Sequence, residues 1–268
     1  MFTQNGSALQ TNSSLDSSET ARTAGAIDLA TIRLAVVSPM ANEGADGVRF
    51  VDAVLAQTAG FGHVEFLAVL DDATKDNTRE LLEGHAQREP RLRVIWAPEN
   101  RCVVDAYLRG YREALASGAD WILEIDAGFS HDPADIPRFW DEMRRGYDCV
   151  FGTRFSKGGR ILDSSLKRYW VSRGGSLLTN LLLGTRLADM TSGFELFTRD
   201  ALQMVLDRGI QSRAHFFQTE IKTFCRHLRI TEVPITYRSA SPRLSQSAVD
   251  EAFSQLWRLF RLRLAGRL

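Results

Sequence analysis

What this chain has little of narrows it before any motif is read. Its three cysteines, Cys102, Cys149 and Cys225, are odd in number and widely spaced. That usage fits a reduced intracellular protein better than a disulfide framework or a zinc site. No uninterrupted apolar run approaches the roughly 18–20 residues that span a bilayer. The start also lacks a basic end followed by an apolar core, so a secretory signal is not expected. Thirty-three Lys and Arg cancel thirty-three Asp and Glu, and the aromatic content is an ordinary 9%, so the bulk composition carries no footprint of a nucleic-acid binder. The expected location is the cytoplasm, in solution or peripheral on the cytoplasmic face of a membrane.

What is present begins after residue 30. Residues 1–30 are rich in Ser, Thr, Asn, Gln and Ala and bury too little apolar surface to offset their ordering entropy, so they read as a disordered tail. Strand-like runs at 34–37, 64–70, 92–96 and 121–125 then alternate with helix-like stretches near 47–57, 78–88 and 103–116. Such alternation predicts an α/β fold with a mainly parallel, doubly wound sheet and helices on both faces. Asp132-Pro133-Ala134-Asp135 is a helix start, expected to run to Arg145. A strand at 147–152 follows, then helices at 166–183 and 218–227 and a strand at 230–237. Residues 31–245 read as one domain. Residues 246–268 read as a basic amphipathic helix, with Phe253, Leu256, Trp257, Phe260 and Leu264 at helical spacing and Arg258, Arg261, Arg263 and Arg267 among them. Two readings of that helix stay open: an interfacial membrane helix, or a helix packed on the domain with solvated arginines.

The chemistry sits at the ends of the strands. Ligands of open α/β sheets bind beyond the carboxyl ends of the strands, and there this chain places Pro39-Met40-Ala41-Asn42-Glu43, then Asp71-Asp72, then Asp126. Transfer of a sugar from a nucleotide diphosphate asks for carboxylates on base and ribose and a hard cation on the diphosphate. Asn42, Glu43, Asp71 and Asp72 fit the first task, although Asn and Asp equally make turns. Asp126 fits the second, because magnesium uses only one or two carboxylates besides phosphate oxygens and water. Glu124 shares the strand face of Asp126 but lies deeper. His131 is either a site residue or a loop histidine, and Asp132 reads as a helix cap. Arg154, Lys167, Arg168, Arg173 and Arg243 are candidate partners for an anionic acceptor, since an arginine fork suits a phosphate monoester.

From about Arg33 to Leu244 the chain resembles the dolichyl-phosphate and polyprenyl-phosphate mannosyltransferase branch of family 2 glycosyltransferases. The pieces that carry the resemblance, in order, are Pro39 to Glu43, Asp71 to Thr78, Asp126 to Pro133, Gly152-Thr153-Arg154-Phe155, Ser172-Arg173-Gly174, Asp189 to Phe194, Phe217-Gln218-Thr219-Glu220, and Glu232-Val233-Pro234-Ile235. The resemblance implies a GT-A fold, Rossmann-like, across residues 31–245, and an inverting transfer of a hexose. Mannose from GDP-mannose is the first expectation and glucose from UDP-glucose the next, with a polyprenyl or dolichyl phosphate as acceptor and Mg2+ or Mn2+ as cofactor. It implies that Pro39, Asn42, Glu43 and Asp72 line the nucleoside pocket, that Asp126 binds the metal–diphosphate, and that Arg154 and Arg168 hold the lipid phosphate.

The departures from that pattern are specific. The usual Asp-Xaa-Asp reads Asp126-Ala127-Gly128. The glycine-rich stretch after the third strand reads Asn100 to Ala106. Glu195 stands where an arginine often follows Ser-Gly-Phe, and Pro242-Arg243 replaces the usual Ser-Lys. The C-terminal membrane spans of some members have no counterpart. Two alternatives therefore stand beside the lipid-phosphate acceptor. One is the same fold acting on a hydroxyl of a saccharide or secondary metabolite, with Asp189 as a candidate base. The other is a catalytically degenerate relative that binds a nucleotide.

Overall fold

The first apolar run becomes β1 (Arg33–Pro39), whose alternate residues enter two separate cores. Leu34 and Val36 pack with Phe50 and Phe66 on one face, and Ala35 and Val37 with Tyr107 and Tyr111 on the other. A strand buried on both faces reads as a continuous hydrophobic run, and it marks the interior of a parallel sheet. The computed structural model describes residues 27–162, 166–238 and 246–268, the stretch 166–168 by its backbone alone.

Beyond β1 the order is α1 (Ala45–Ala56), β2 (His63–Leu70), α2 (Thr78–Ala86), β3 (Leu92–Trp96), α3 (Val103–Ala116), β4 (Trp121–Glu124), α4 (Ile136–Arg144), β5 (Cys149–Thr153), β6 (Arg160–Leu162), α5 (Leu166–Leu183), β7 (Glu195–Thr198), α6 (Arg199–Arg208), α7 (Phe217–Phe224), β8 (Ile230–Pro234), β9 (Thr236–Arg238) and α8 (Gln246–Leu264). The main sheet runs β3-β2-β1-β4-β7-β5-β8, with β7 antiparallel to both neighbours, and β6 pairs with β9 separately. The chain steps outward from β1 to β2 to β3 and then returns to place β4 on the other side of β1. The carboxyl ends of β1 and β4 therefore flank the point where strand order reverses, the place where a doubly wound sheet opens a crevice.

One glycine sets the depth of that crevice. A Cβ at Gly110 of α3 would collide with Val37 Cγ1 on β1. Glycine here lets the helix press onto the strand and brings its tyrosines within reach of β4.

Most expected elements form, with differences that have local causes. The helix start at Asp132 makes a short 3-10 turn, Pro133–Asp135, before α4, with Asp132 Oδ1 accepting from the Ala134 amide at 3.0 Å. The single strand expected at 230–237 is two, because the chain changes sheets at Ile235: its amide donates to Thr153 O at 3.0 Å while its carbonyl accepts from the Arg160 amide at 2.9 Å. Residues 27–30, expected in the tail, join the domain instead: Asp28 caps the turn Leu29–Thr31, and the Gly62 amide donates to Leu29 O at 3.1 Å. The rest of the expected tail lies outside the described residues. Helix α8 buries Leu256 and Leu259 in the core, yet Phe253 is 61% and Trp257 60% exposed. The helix thus packs on the domain through one face and leaves an aromatic pair exposed on the other.

Candidate active site

Asp126 stands two residues past β4, with its side chain 40% exposed. Its Oδ1 accepts from the buried Tyr107 hydroxyl. Its amide and its Oδ2 lie 3.4 and 3.6 Å from Nδ1 of His131. His131 is 1% exposed, between the rings of Phe194 and Tyr237 at 5.1 and 5.2 Å. Burial pushes its imidazole down to about 4, so it is neutral at physiological pH and supports Asp126 without opposing a cation there. His131 is a loop residue, buried beside the carboxylate.

Tyr107 has a counterpart one turn on. Tyr111 donates to Glu124 Oε2, and Gln218 Nε2 donates to Glu124 Oε1. Four residues of helix rise about 6 Å, and two residues of strand about 6.6 Å. Tyrosines at i and i+4 of α3 therefore meet acids at i and i+2 of the β4 segment. Glu124 is fully buried, and its burial, together with the nearby Glu195 carboxyl, raises its pKa well above the usual carboxylate range. With both oxygens taken by these donors, Glu124 is a buried prop beneath Asp126, as its depth implied, and not a second ligand.

Across the switch point, the loop after β1 turns through two left-handed residues, Asn42 at φ 59° and Gly44 at φ 53°. Asn42 ties this loop to the one after β2, donating from Nδ2 to Ala73 O at 2.8 Å and accepting at Oδ1 from the Lys75 amide at 2.7 Å. Asp71 makes turn chemistry with the Ala73 amide at 2.9 Å, whereas Asp72 is exposed. Pro39, half-buried, closes β1 opposite Val69. Between the left-handed residues, the amides of Glu43 and Gly44 donate to Thr78 Oγ1 at 2.8 and 2.7 Å. Burial, with Asp46 and Asp76 nearby, raises the Glu43 carboxyl above its ordinary value. That carboxyl lies against Gly128, itself at φ +70°, where an added Cβ would stand 2.8 Å from Glu43 Oε2.

The second half of the sheet holds its charges inside. Arg154 donates from Nε to Asp189 Oδ2 at 2.6 Å and from one terminal nitrogen to Asp189 Oδ1 at 2.8 Å and Thr191 Oγ1 at 2.5 Å. Burial alone would raise the Asp189 carboxyl, but the guanidinium beside it holds the group down to about 2. Arg154, expected at the acceptor phosphate, is 9% exposed with Nε and one terminal nitrogen taken by this pair, and Asp189, the candidate base, is fully buried in it. Glu232 fixes the same turn, accepting from the Ala188 and Asp189 amides at 2.7 and 3.0 Å. Glu195 pairs with Lys222 of α7 at 3.0 Å, both fully buried. Arg173 is exposed on α5 and donates to Ala188 O at 2.9 Å. Lys167 and Arg168 lie on the first turn of α5, their side chains outside the described residues, as is all of Arg243.

A family model, glycosyl transferase family 2, matches residues 35–206. The chain belongs to that family. An undecaprenyl-phosphate mannosyltransferase of Micrococcus luteus is 32% identical over 189 residues, 69% of this chain and 77% of the relative. A polyprenol monophosphomannose synthase of Mycolicibacterium smegmatis is 25% identical over 205 residues, 75% of this chain and 77% of the relative. Among solved structures, glucosyl-3-phosphoglycerate synthase of Mycobacterium tuberculosis with UDP aligns at TM-score 0.63 and 17% identity, covering 86% of this chain and 80% of that one. The same enzyme with Mn2+, UDP-glucose and phosphoglyceric acid aligns at 0.63 and 16%, with the same coverage. The fold is GT-A, and the protein is a nucleotide-sugar-dependent glycosyltransferase, as the resemblance implied.

The donor set suits a family 2 metal that enters with its nucleotide. Among the described residues no group of three or more His, Cys, Asp or Glu side chains could hold a metal alone. Asp126 stands at the end of β4 with the Glu43 carboxyl against Gly128 two residues on, and magnesium or manganese needs only one or two carboxylates besides diphosphate oxygens and water.

Proposed function

We propose that the protein moves a hexose from a nucleotide sugar onto a polyprenyl phosphate at a membrane surface, with inversion. Mannose from GDP-mannose is the first assignment and glucose from UDP-glucose the second. The observation that carries this reading is the exposed carboxylate of Asp126 at the switch point, held by the Tyr107 hydroxyl, with His131 Nδ1 accepting from its amide, in a chain whose relatives include enzymes named for undecaprenyl phosphate and polyprenol monophosphomannose.

The residues divide the work. Asn42, Pro39 and Asp72 receive the nucleoside, and Asp126 faces the diphosphate. A magnesium or manganese ion bound with the donor would neutralise the charge that collects on the leaving diphosphate. The acceptor phosphate is already ionised near neutral pH, so its oxygen bonds to the anomeric carbon as the bond to the diphosphate breaks, and no side chain need take a proton. The pairing of Asp189 with Arg154 supports this acceptor over a hydroxyl, which would need a free base. Arg173, with Lys167, Arg168 and Arg243, supplies the cations for the phosphate, and Arg154 holds the turn at Asp189.

The surface supports a membrane-borne acceptor. Of the nine exposed large hydrophobic side chains among the described residues, eight lie on α5 and α8, among them Trp170, Leu181, Phe253 and Trp257. Helix α5 also carries the acceptor cations. Aromatic side chains interleaved with arginine suit the boundary between headgroups and acyl chains. No described helix is long and apolar enough to cross a membrane.

The test is transfer of radiolabelled mannose from GDP-mannose, and glucose from UDP-glucose, to a short polyprenyl phosphate in anionic vesicles. Asp126→Asn should reduce turnover by about 10²–10³-fold while the thermal transition stays. Wild-type transfer to a soluble sugar hydroxyl, with none to the lipid phosphate, would overturn the acceptor assignment.

A further inference from the structure

The family's usual second aspartate is Gly128 in this chain, and the structure shows what stands in its place. A Cβ at residue 128 would lie 2.8 Å from Glu43 Oε2, 3.7 Å from Oε1 and 3.6 Å from Cδ. The Glu43 carboxyl thus occupies the space into which a side chain at 128 would start to grow. It enters from the loop after β1, across the switch point from Asp126. Its position is fixed: left-handed backbone on both sides, two amides anchored on Thr78 Oγ1, and that hydroxyl in turn donating to Asp76 Oδ1 at 2.6 Å. Glycine is required at 128 as much by this occupant as by φ +70°.

We propose that Glu43 is the second carboxylate of the metal–diphosphate site, taking over from residue 128. This assignment rests on the glycosyltransferase reading above and replaces the nucleoside-pocket role that resemblance implies for Glu43. The two carboxylates come from different strands, one from β1 and one from β4, where the usual pair comes from a single loop. The loops after these neighbouring strands carry both carboxylates to the same end of the sheet, where a cation bound with the diphosphate would meet them.

The experiment reads metal and nucleotide binding, with no acceptor and no turnover. Manganese binding is followed by the loss of its free-ion electron paramagnetic resonance signal, with GDP and with UDP. Nucleotide binding in chelator is measured by calorimetry. Glu43→Gln should weaken Mn2+ in the nucleotide complex by about 10–100-fold, the range for removing a group that holds or orients a metal site, and leave metal-free nucleotide binding as in the wild type. An equal loss with and without metal would restore the nucleoside role and overturn the proposal, as would no change in metal affinity. Gly128→Asp alone places a second carboxylate on Glu43 and should lower stability, although aspartate is among the residues that tolerate left-handed backbone. Glu43→Ala combined with Gly128→Asp should recover Mn2+ affinity over Glu43→Ala. A double variant that binds nucleotide in chelator yet recovers nothing counts against the exchange. Wild-type protein that binds neither nucleotide sinks the donor-site reading itself, whereas metal-dependent binding indifferent to Glu43 sinks only this assignment.

Discussion

The two halves of the sheet use the same residue types in opposite ways. In the loops after β2 and β4 two acids reach solvent, Asp72 exposed and the Asp126 side chain 40% exposed, while Glu124 stays buried beneath Asp126. Around β5, β7 and β8 the charges are sealed in pairs, Arg154 with Asp189 and Lys222 with Glu195, three of the four fully buried and Arg154 only 9% exposed. A buried ion pair has given up its hydration and is held by its partner, so it sets geometry. A carboxylate left at a strand end keeps its valence for a ligand. Motif residues in the second half follow the same rule. Gln218 holds Glu124, Thr219 Oγ1 donates to Met190 O at 2.9 Å, and Glu220 accepts from the Gln211 and Ser212 amides at 3.1 and 2.9 Å. On the proposed reading, the donor half would bind by what it exposes and the acceptor half by what its interior braces.

Breaking the sealed side should give the largest effect. Arg154→Met leaves Asp189 charged and unpaired at zero exposure, and the expected loss is about 3–5 kcal/mol in urea unfolding. Arg154→Met with Asp189→Leu should recover part of it. A loss below about 1 kcal/mol would mean that the pair opens to solvent and that Arg154 is available to an acceptor after all.

The next effect lies under Asp126 and is read against pH. His131 titrates near 4 in the fold against 6.5 as an ordinary imidazole, so the unfolded chain takes up the proton first. The stability this contributes is present above pH 6.5 and is lost as pH falls toward 4, on the order of 3 kcal/mol in all. Glu195, pushed up to about 7 by burial against the pull of Lys222, works the other way: its contribution is present below pH 4.5 and lost as pH rises through 7. The two slopes oppose, so the measurement is the difference between wild type and His131→Phe. That difference should shrink steadily from pH 7 to pH 4. A constant difference would place His131 in contact with water.

The sequence was readable where burial alone decides structure. Strands buried on both faces announce themselves as apolar runs, and β3, α3 and the extent of α5 fall on the expected residues. Helix α6 and the strand β7 were not legible, because Glu195–Thr198 is four residues long and carries an acid that only Lys222 makes tolerable. In the site, Asp126 was visible as an acid ending an apolar strand. Its supports were not: Tyr107 looks like core, and only the match of helical rise to strand rise, seen in Tyr107–Asp126 and Tyr111–Glu124, shows its purpose. The commitment of Arg154 was hidden for a different reason. Its partner lies 35 residues away, and sequence spacing does not say which of many arginines is already taken.

A smaller change tests that hidden support. Tyr107→Phe keeps the ring against Phe217, 5.1 Å away, and deletes only the hydroxyl that fixes Asp126. Metal-dependent donor affinity should fall about 10–100-fold, the range for removing a group that orients a metal ligand, with the thermal transition preserved. Unchanged affinity would mean that Asp126 needs no orienting.

The smallest expected effect separates two neighbours. Asp71 is engaged by the Ala73 amide, and Asp72 is exposed beside it. If Asp71 makes the turn and Asp72 meets the nucleoside, the two alanine variants should diverge in kind. Asp71→Ala should cost about 1 kcal/mol of stability with donor affinity nearly kept. Asp72→Ala should leave stability within about 0.5 kcal/mol and weaken the donor about tenfold, as loss of one charged hydrogen bond does. Calorimetry on GDP and UDP, paired with urea unfolding, reads both. The reverse assignment would show that in the donor half, too, a carboxylate already engaged by the fold can serve the ligand, and the contrast between the halves would no longer hold.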